Sequence, residues 1–183
     1  MENNEESVPV FIEMPKGEKR RLHPSYEDKS VIVDLGPIRN VIPVNDGAMP
    51  IAYGFIIGTL QTEESEKNSN EIPDEIDILV YSKKKFKIGE ITNAIPIALI
   101  TREDGDHKVV AVDETTRNIK RWEEIPADER DLILRYFGYK SPIKSISGKE
   151  AAKEYIEKYS VKDADIDKFR EISKNIKIKK VNS

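Results

Sequence analysis

A mainly β chain with helices added in its last third, closed into a small barrel or a strongly bent sheet, is the fold class this sequence predicts. Two observations carry the prediction. Seven short Val- and Ile-rich segments, bounded by Gly, Pro, Asp or Lys clusters, fill roughly the first 110 residues, which is strand-and-turn punctuation. After them the apolar spacing changes to a helical one. That many short strands in so little chain favours a barrel or bent sheet over a flat open one.

In chain order, the expected strands are 8–13, 30–35, 38–44, 54–60, 76–80, 90–100 and 108–112. Segment 61–71 (QTEESEKNSNE) has no apolar residue and reads as a surface loop. Leu132, Ile133, Tyr136 and Phe137 then follow Asp128 and Glu129, an amphipathic helix with acids in its first turn. Ser147 and Glu150 have capping-box spacing and predict a helix over 151–159. Ile166, Phe169 and Ile172 predict a third helix over 163–173. The chain divides into a polar tail (1–7), one domain (8–173) and a lysine-rich, solvated end (174–183). There is no internal repeat.

Composition narrows the function classes. The 183 residues suit one compact domain. The formal net charge of −4 provides no chain-wide positive field for nucleic acid. With no cysteine, disulfides, thiolate metal sites and a cysteine nucleophile are excluded. No apolar run approaches the roughly 20 residues of a membrane helix, and the acidic start is unlike a targeting peptide. A soluble, cytoplasmic protein is the expectation.

The chemistry concentrates in two acidic groups. Asp74, Glu75 and Asp77 enter the apolar strand that ends at Val80, and Glu103, Asp104 and Asp106 lie between Ile100 and Val109. Asp77 alternates with Ile76 and Ile78, so its carboxylate faces away from theirs. A carboxylate on a barrel strand needs a cation or strong donors to offset desolvation. Clustered carboxylates near lysines suit hard divalent metals and a phosphate ligand. The plainer reading of Asp104-Gly105-Asp106 is a hairpin turn, where Asp and Gly supply the backbone shapes. His23 and His107 are too few for a zinc site and read as surface or turn residues. Trp122 reads as a half-buried anchor, and Lys83-Lys84-Lys85 as a solvated turn.

The order of segments is more specific than either cluster. Phe11-Ile12-Glu13-Met14-Pro15-Lys16-Gly17 is similar to the opening IEIPKG strand of the small, magnesium-dependent soluble inorganic pyrophosphatases (family I). Tyr53-Gly54-Phe55-Ile56-Ile57-Gly58-Thr59-Leu60 resembles that family's YGFIPGTL, and Asp74-Glu75-Ile76-Asp77-Ile78-Leu79-Val80 its DPxDVLV strand. Asp106-His107-Lys108-Val109-Val110-Ala111-Val112 resembles DDKIIAV, and Tyr136-Phe137-Gly138-Tyr139-Lys140 the late FFxxYK. The resemblance runs in the family's order from about residue 8 to 159. It implies a five-stranded, oligonucleotide-binding-like barrel with flanking helices, and hydrolysis of diphosphate by a Mg²⁺-activated water. It places Asp74 at the general base, Asp77 and Asp106 at metal ligands, and Glu13 at an acid supporting the metal. Arg21, Tyr53, Lys108, Tyr139 and Lys140 fall on phosphate or metal-water contacts. A homo-oligomer, hexameric in the family's short members, is implied by resemblance alone.

Several positions depart from the family's pattern. Ile72 stands at a metal-ligand aspartate, Pro73 at a glycine and Glu75 at a proline. Thr101 and Arg102 stand at an Asp-Glu pair, Val41 at a phosphate-binding arginine with Arg39 two residues away, and Met49 at a tyrosine. Ala52 replaces an asparagine, and Arg21-Leu22-His23 replaces a KYE. Isoleucine offers no oxygen to Mg²⁺, and Arg102 brings positive charge beside a proposed metal. Glu71 or Glu75 would have to substitute for Ile72, and Glu103 or Asp104 for Thr101. Three functions stay open on sequence: a divergent pyrophosphatase, a non-catalytic relative that binds a phosphate-bearing ligand or serves as an assembly subunit, and a phosphohydrolase of altered substrate.

Overall fold

The computed structural model of the chain describes residues 6–62, 73–162 and 164–181. Strands β1 (Val8–Met14), β4 (Ala52–Ile56), β5 (Asp77–Tyr81), β7 (Lys108–Val112) and β6 (Ile91–Arg102) pair in that order. Pairing of β1 with β6 closes the five into a ring. All contacts between ring neighbours are antiparallel except β5 with β7. The expected five-stranded barrel is therefore present. Its longest strand, β6, serves three partners: β1 along Ile91–Ala94, then β7, then β8 (Ile143–Gly148) near its end. A bulge between Pro96 and Ala98 allows this change of partner, and proline, which cannot donate to a ladder, sits where the ladder is broken.

Alternation along the ring strands divides the core in two. Val10, Ile12, Ile78, Val80, Val109 and Ala111 form one cluster with Ala152, Ile156 and Tyr159 of the helix Lys149–Tyr159 (α2). Phe11, Phe55, Leu79, Val110 and Val112 face the other way. There they pack under a second sheet, β2 (Arg20–Pro24), β3 (Val31–Pro37) and β9 (Lys177–Lys180), and under α1 (Ala127–Phe137) and α3 (Ile166–Lys174). The Phe169 ring of α3 meets Phe11 and Phe55 edge-on at 6.2 and 5.8 Å. β4 approaches β1 so closely that a Cβ at Gly54 would lie 2.0 Å from the Phe11 carbonyl oxygen, so no other residue fits there. Among the described residues no helix is long and apolar enough to cross a membrane.

The differences from expectation have local causes. Segment 38–44 is not a strand: short 3₁₀ turns occupy Ile38–Asn40 and Val44–Gly47. The chain reverses at Asn45, Asp46 and Gly47, all at positive φ, a shape Asn, Asp and Gly tolerate and Val and Ile do not. β4 ends at Ile56, before a turn with Gly58 at φ +90°. Ser147 caps nothing, because it still pairs with Leu99 in the ladder and α2 follows Gly148 without a side-chain cap. Asp165, by contrast, accepts from the Lys168 N–H and starts α3; the expected start, Asp163, lies outside the described residues. β2, β8 and β9 were not foreseen. Residues 177–180 are solvent-facing as expected, yet pair in parallel with β3. Trp122 is buried in the core rather than half-exposed. Of the polar segment 61–71, only Gln61 and Thr62 are described; Gln61 is buried, donating to the Glu75 carbonyl oxygen and accepting from the Tyr155 hydroxyl.

Candidate active site

Four neighbouring ring strands each contribute one polar side chain to the face that covers the Phe11–Phe55 cluster. By alternation, Glu13 follows Phe11 on β1, Tyr53 precedes Phe55 on β4, Asp77 precedes Leu79 on β5, and Lys108 precedes Val110 on β7. Each is thus held by a strand whose next inward residue is locked in the core. Glu13, Tyr53 and Asp77, together with β2, β3 and the 104–106 turn, line a cleft of about 1010 Å³, and Lys108 is buried against Asp77.

Lys108 is the hub. Only 3% exposed, its Nζ donates to Asp77 Oδ2 at 2.6 Å, to Asp106 Oδ1 at 3.0 Å and to the Tyr53 hydroxyl at 3.4 Å. Burial alone would lower its pKa, but the two carboxylates outweigh it and hold the ammonium charged. Burial pushes Asp77 up to about 6 while the Lys108 charge pulls back. In Asp106, burial is outweighed by Lys108, and the carboxyl sits below its ordinary range. Tyr53 is raised well above the usual phenol value by burial and by Asp77.

The other side of the cleft is less paired. Glu13 is 6% exposed, and its carboxylate has no hydrogen-bond partner among the described residues. Burial, then repulsion from Asp77 and Glu75, raises its pKa well above normal, with Lys29 and Lys108 opposing. Asp74 lies exposed at the rim, where Tyr26 donates to its Oδ2 at 3.3 Å. Partial desolvation raises it too, against the pull of His23. Glu75 is tied to Lys29 at 2.9 Å. Arg21 lines the cleft, exposed and without an ion pair among the described residues.

The sequence of the inorganic pyrophosphatase family matches residues 10–169. The chain belongs to that family. It is 30% identical over 138 residues to the inorganic pyrophosphatase of Aeropyrum pernix, covering 71% of this chain and 70% of that one. Against the Saccharolobus solfataricus protein of the same name it is 28% identical over 140 residues, 72% and 73% of the two chains. Among solved structures, the inorganic pyrophosphatase of Helicobacter pylori has a TM-score of 0.69 at 21% identity, covering 91% of this chain and 95% of that one. The enzyme of Ehrlichia chaffeensis has the same TM-score at 20% identity, covering 84% and 92%. Membership implies a divalent metal as cofactor.

The residues can be compared with that expectation. Glu13, Asp74, Glu75, Asp77 and Asp106 all line the cleft, so the donor set is oxygen-rich and suits a hard cation. The Glu13 carboxylate, buried and without a hydrogen-bond partner among the described residues, is the acid of this set whose burial a cation would offset most. Among the described residues no three acids or histidines converge on one point. Magnesium usually takes one or two carboxylates and completes its shell with water and phosphate oxygens, so the set fits such a cation rather than an all-protein cage.

The structure does not gather every residue of the family pattern. Tyr139, 54% exposed, and Lys140 follow α1 and do not line the cleft. Met49 is in the core, and Thr101 turns its hydroxyl to Ser145 Oγ at 2.5 Å. Ile72 and Glu71 lie outside the described residues. Glu103 is exposed and does not line the cleft, whereas Asp104 does. Asp104-Gly105-Asp106 is the expected turn: Gly105 is at φ +83°, and Asp104 Oδ1 accepts from the Asp106 N–H at 3.0 Å. Sequence reading missed Tyr26, Lys29 and the cleft position of His23. They stand in a polar stretch with no periodic pattern, and only the packing of β2 and β3 over the ring brings them to Asp74 and Glu75.

Proposed function

We propose that this chain is a Mg²⁺-dependent inorganic pyrophosphatase that hydrolyses diphosphate to two phosphates. The observation that carries the reading is the gathering of Glu13, Asp77 and Asp106 along one cleft, with Asp77 and Asp106 fixed by the buried Lys108 ammonium. Glu13, Asp77 and Asp106 are the acids that would hold the metal. The cation, when bound, lowers the pKa of water and offsets the charge on phosphate oxygens.

The chain's own residues do the rest. Arg21 presents a guanidinium from the β2 wall and Tyr53 a phenol from the floor, donors placed for phosphate oxygens. Lys108 spends its three N–H groups on Asp77, Asp106 and Tyr53 and fixes the floor. Asp74, at the rim, accepts the proton of the attacking water; its raised pKa makes it a stronger base than an ordinary aspartate. The water oxygen bonds to one phosphorus, the bridging P–O bond breaks, and the second phosphate leaves with the bridging oxygen. Tyr139 and Lys140 reach a phosphate in this scheme only through movement of the segment after α1. A cytoplasmic setting and a homo-oligomer, hexameric by resemblance, belong to the same reading.

The test is phosphate release from diphosphate with millimolar Mg²⁺, alongside Mg²⁺ binding by calorimetry. Asp74→Asn is expected to cut turnover by about a hundredfold or more, as for loss of a general base. Asp77→Asn should weaken Mg²⁺ binding as well as turnover. Neither turnover nor Mg²⁺ binding in the native protein would sink the proposal.

A further inference from the structure

Arg102 is the charged residue of this region that the scheme above leaves without a task. It closes β6, next to the 104–106 turn, and its side chain is 10% exposed. Its Nη2 donates to Asp104 Oδ2 at 2.9 Å and its Nη1 lies 3.7 Å from Asp106 Oδ2. Its Nε is buried and without a hydrogen-bond partner among the described residues. A guanidinium held here is therefore desolvated and one donor short, and both are costs. Its ion pairs among the described residues are to two cleft carboxylates, so positive charge at that spot is what the position retains.

The consequence falls on Asp106. One oxygen lies 3.0 Å from Lys108 Nζ and the other 3.7 Å from Arg102 Nη1. Arginine does not lose its proton in proteins, so its charge cannot be withdrawn to admit a metal. A divalent cation arriving at Asp106 meets two fixed positive charges within a few ångströms. At Glu13 it meets a carboxylate that no cation among the described residues bonds, with Lys29 and Lys108 acting only from farther off.

We propose that Arg102 is a resident counter-cation which, with Lys108, neutralises Asp106 and keeps divalent metal off that edge of the cleft, confining it to the Glu13 side. This rests on reading the cleft as a divalent-metal site and revises the share that Asp106 takes in it. Arg102 is then a positioning residue that fixes where the metal sits.

Calorimetric titration of Mg²⁺ into the native protein, Arg102→Gln and Arg102→Lys tests it. Arg102→Gln, folded by circular dichroism, is expected to bind at least about tenfold more tightly or to take up an additional ion, as removal of a unit charge a few ångströms away requires. Arg102→Lys keeps the charge and should behave like the native protein. A merely structural arginine would lower the melting temperature in Arg102→Gln without tightening the metal. Unchanged affinity and stoichiometry in Arg102→Gln overturn the proposal. If that variant does not fold, Arg102→Met, which keeps an unbranched stem without the charge, is titrated in its place, and unchanged affinity and stoichiometry there overturn the idea. Mg²⁺ binding by the native protein with Arg102→Gln unchanged fails this inference alone. Mg²⁺ binding by neither protein fails the pyrophosphatase reading on which this inference rests.

Discussion

The two sides of the cleft solve opposite electrostatic problems. On the 102–108 side each carboxylate already has a cation: Asp77 and Asp106 share Lys108, and Asp104 and Asp106 share Arg102. On the other side, among the described residues, Glu13 is buried with no hydrogen-bond partner, and the side-chain hydrogen bond to Asp74 comes from the Tyr26 hydroxyl. The first side is organised by internal ion pairs before any ligand arrives. On the second, Lys29 bonds Glu75 and only pulls on Glu13 from farther off, so fewer carboxylates are directly paired among the described residues. A cleft built this way has one wall fixed by ion pairs and one wall whose acids are less paired among the described residues.

The largest expected effect comes from breaking the paired side. Lys108→Met leaves Asp77 and Asp106 facing each other without their shared ammonium. The loss should be about 2–4 kcal/mol in urea unfolding, below the value for a fully enclosed pair because Asp106 is half-exposed. A loss under about 0.5 kcal/mol would mean that the wall is not held by charge. The next effect acts on the unpaired side. Mg²⁺ at a hundred times its dissociation constant should stabilise the protein by about 2.7 kcal/mol, a rise of several degrees in melting temperature. That rise should be larger at pH 7.5 than at pH 5, because protons compete for carboxylates whose affinity for them is raised.

How much of this was legible in the sequence follows the same division. Glu13, Tyr53, Asp77 and Lys108 sit at alternate positions of strands whose apolar runs announce themselves, so both their strands and their shared face could be read. The 38–44 segment has the Val and Ile of a strand but is bent by Pro43 and by the positive-φ run that starts at Asn45, which outweigh propensity. β2 buries only Leu22 and Pro24, too few to mark a strand between charged neighbours. The Lys29–Glu75 pair joins residues distant in the chain and depends on how one sheet lies over the other. Arg102 was legible as an oddity of charge; that it turns toward Asp104 and Asp106 rather than to solvent follows from the turn at Gly105.

The smallest effect is the most discriminating, because its sign depends on the metal. Glu13→Gln removes a buried charge that has no partner, and a neutral amide of the same shape costs less to bury. The native Glu13 carboxyl has a raised pKa, so the folded state binds its proton more tightly than the unfolded chain does. Stability from this group is therefore present below the ordinary glutamate value near 4.5 and is lost as pH rises through the elevated one. Without Mg²⁺, Glu13→Gln and the native protein should melt together near pH 4, and the variant should be the more stable at pH 7.5, by about 1 kcal/mol or roughly 3 °C. With saturating Mg²⁺ the order at pH 7.5 should reverse, because the native carboxylate then has the counter-charge it lacks and the amide holds the cation less well. Differential scanning of the two proteins at both pH values, with and without Mg²⁺, reads all four cases. A variant less stable than native at pH 7.5 without metal would show that an internal partner already compensates Glu13, and the contrast between the two walls would fall.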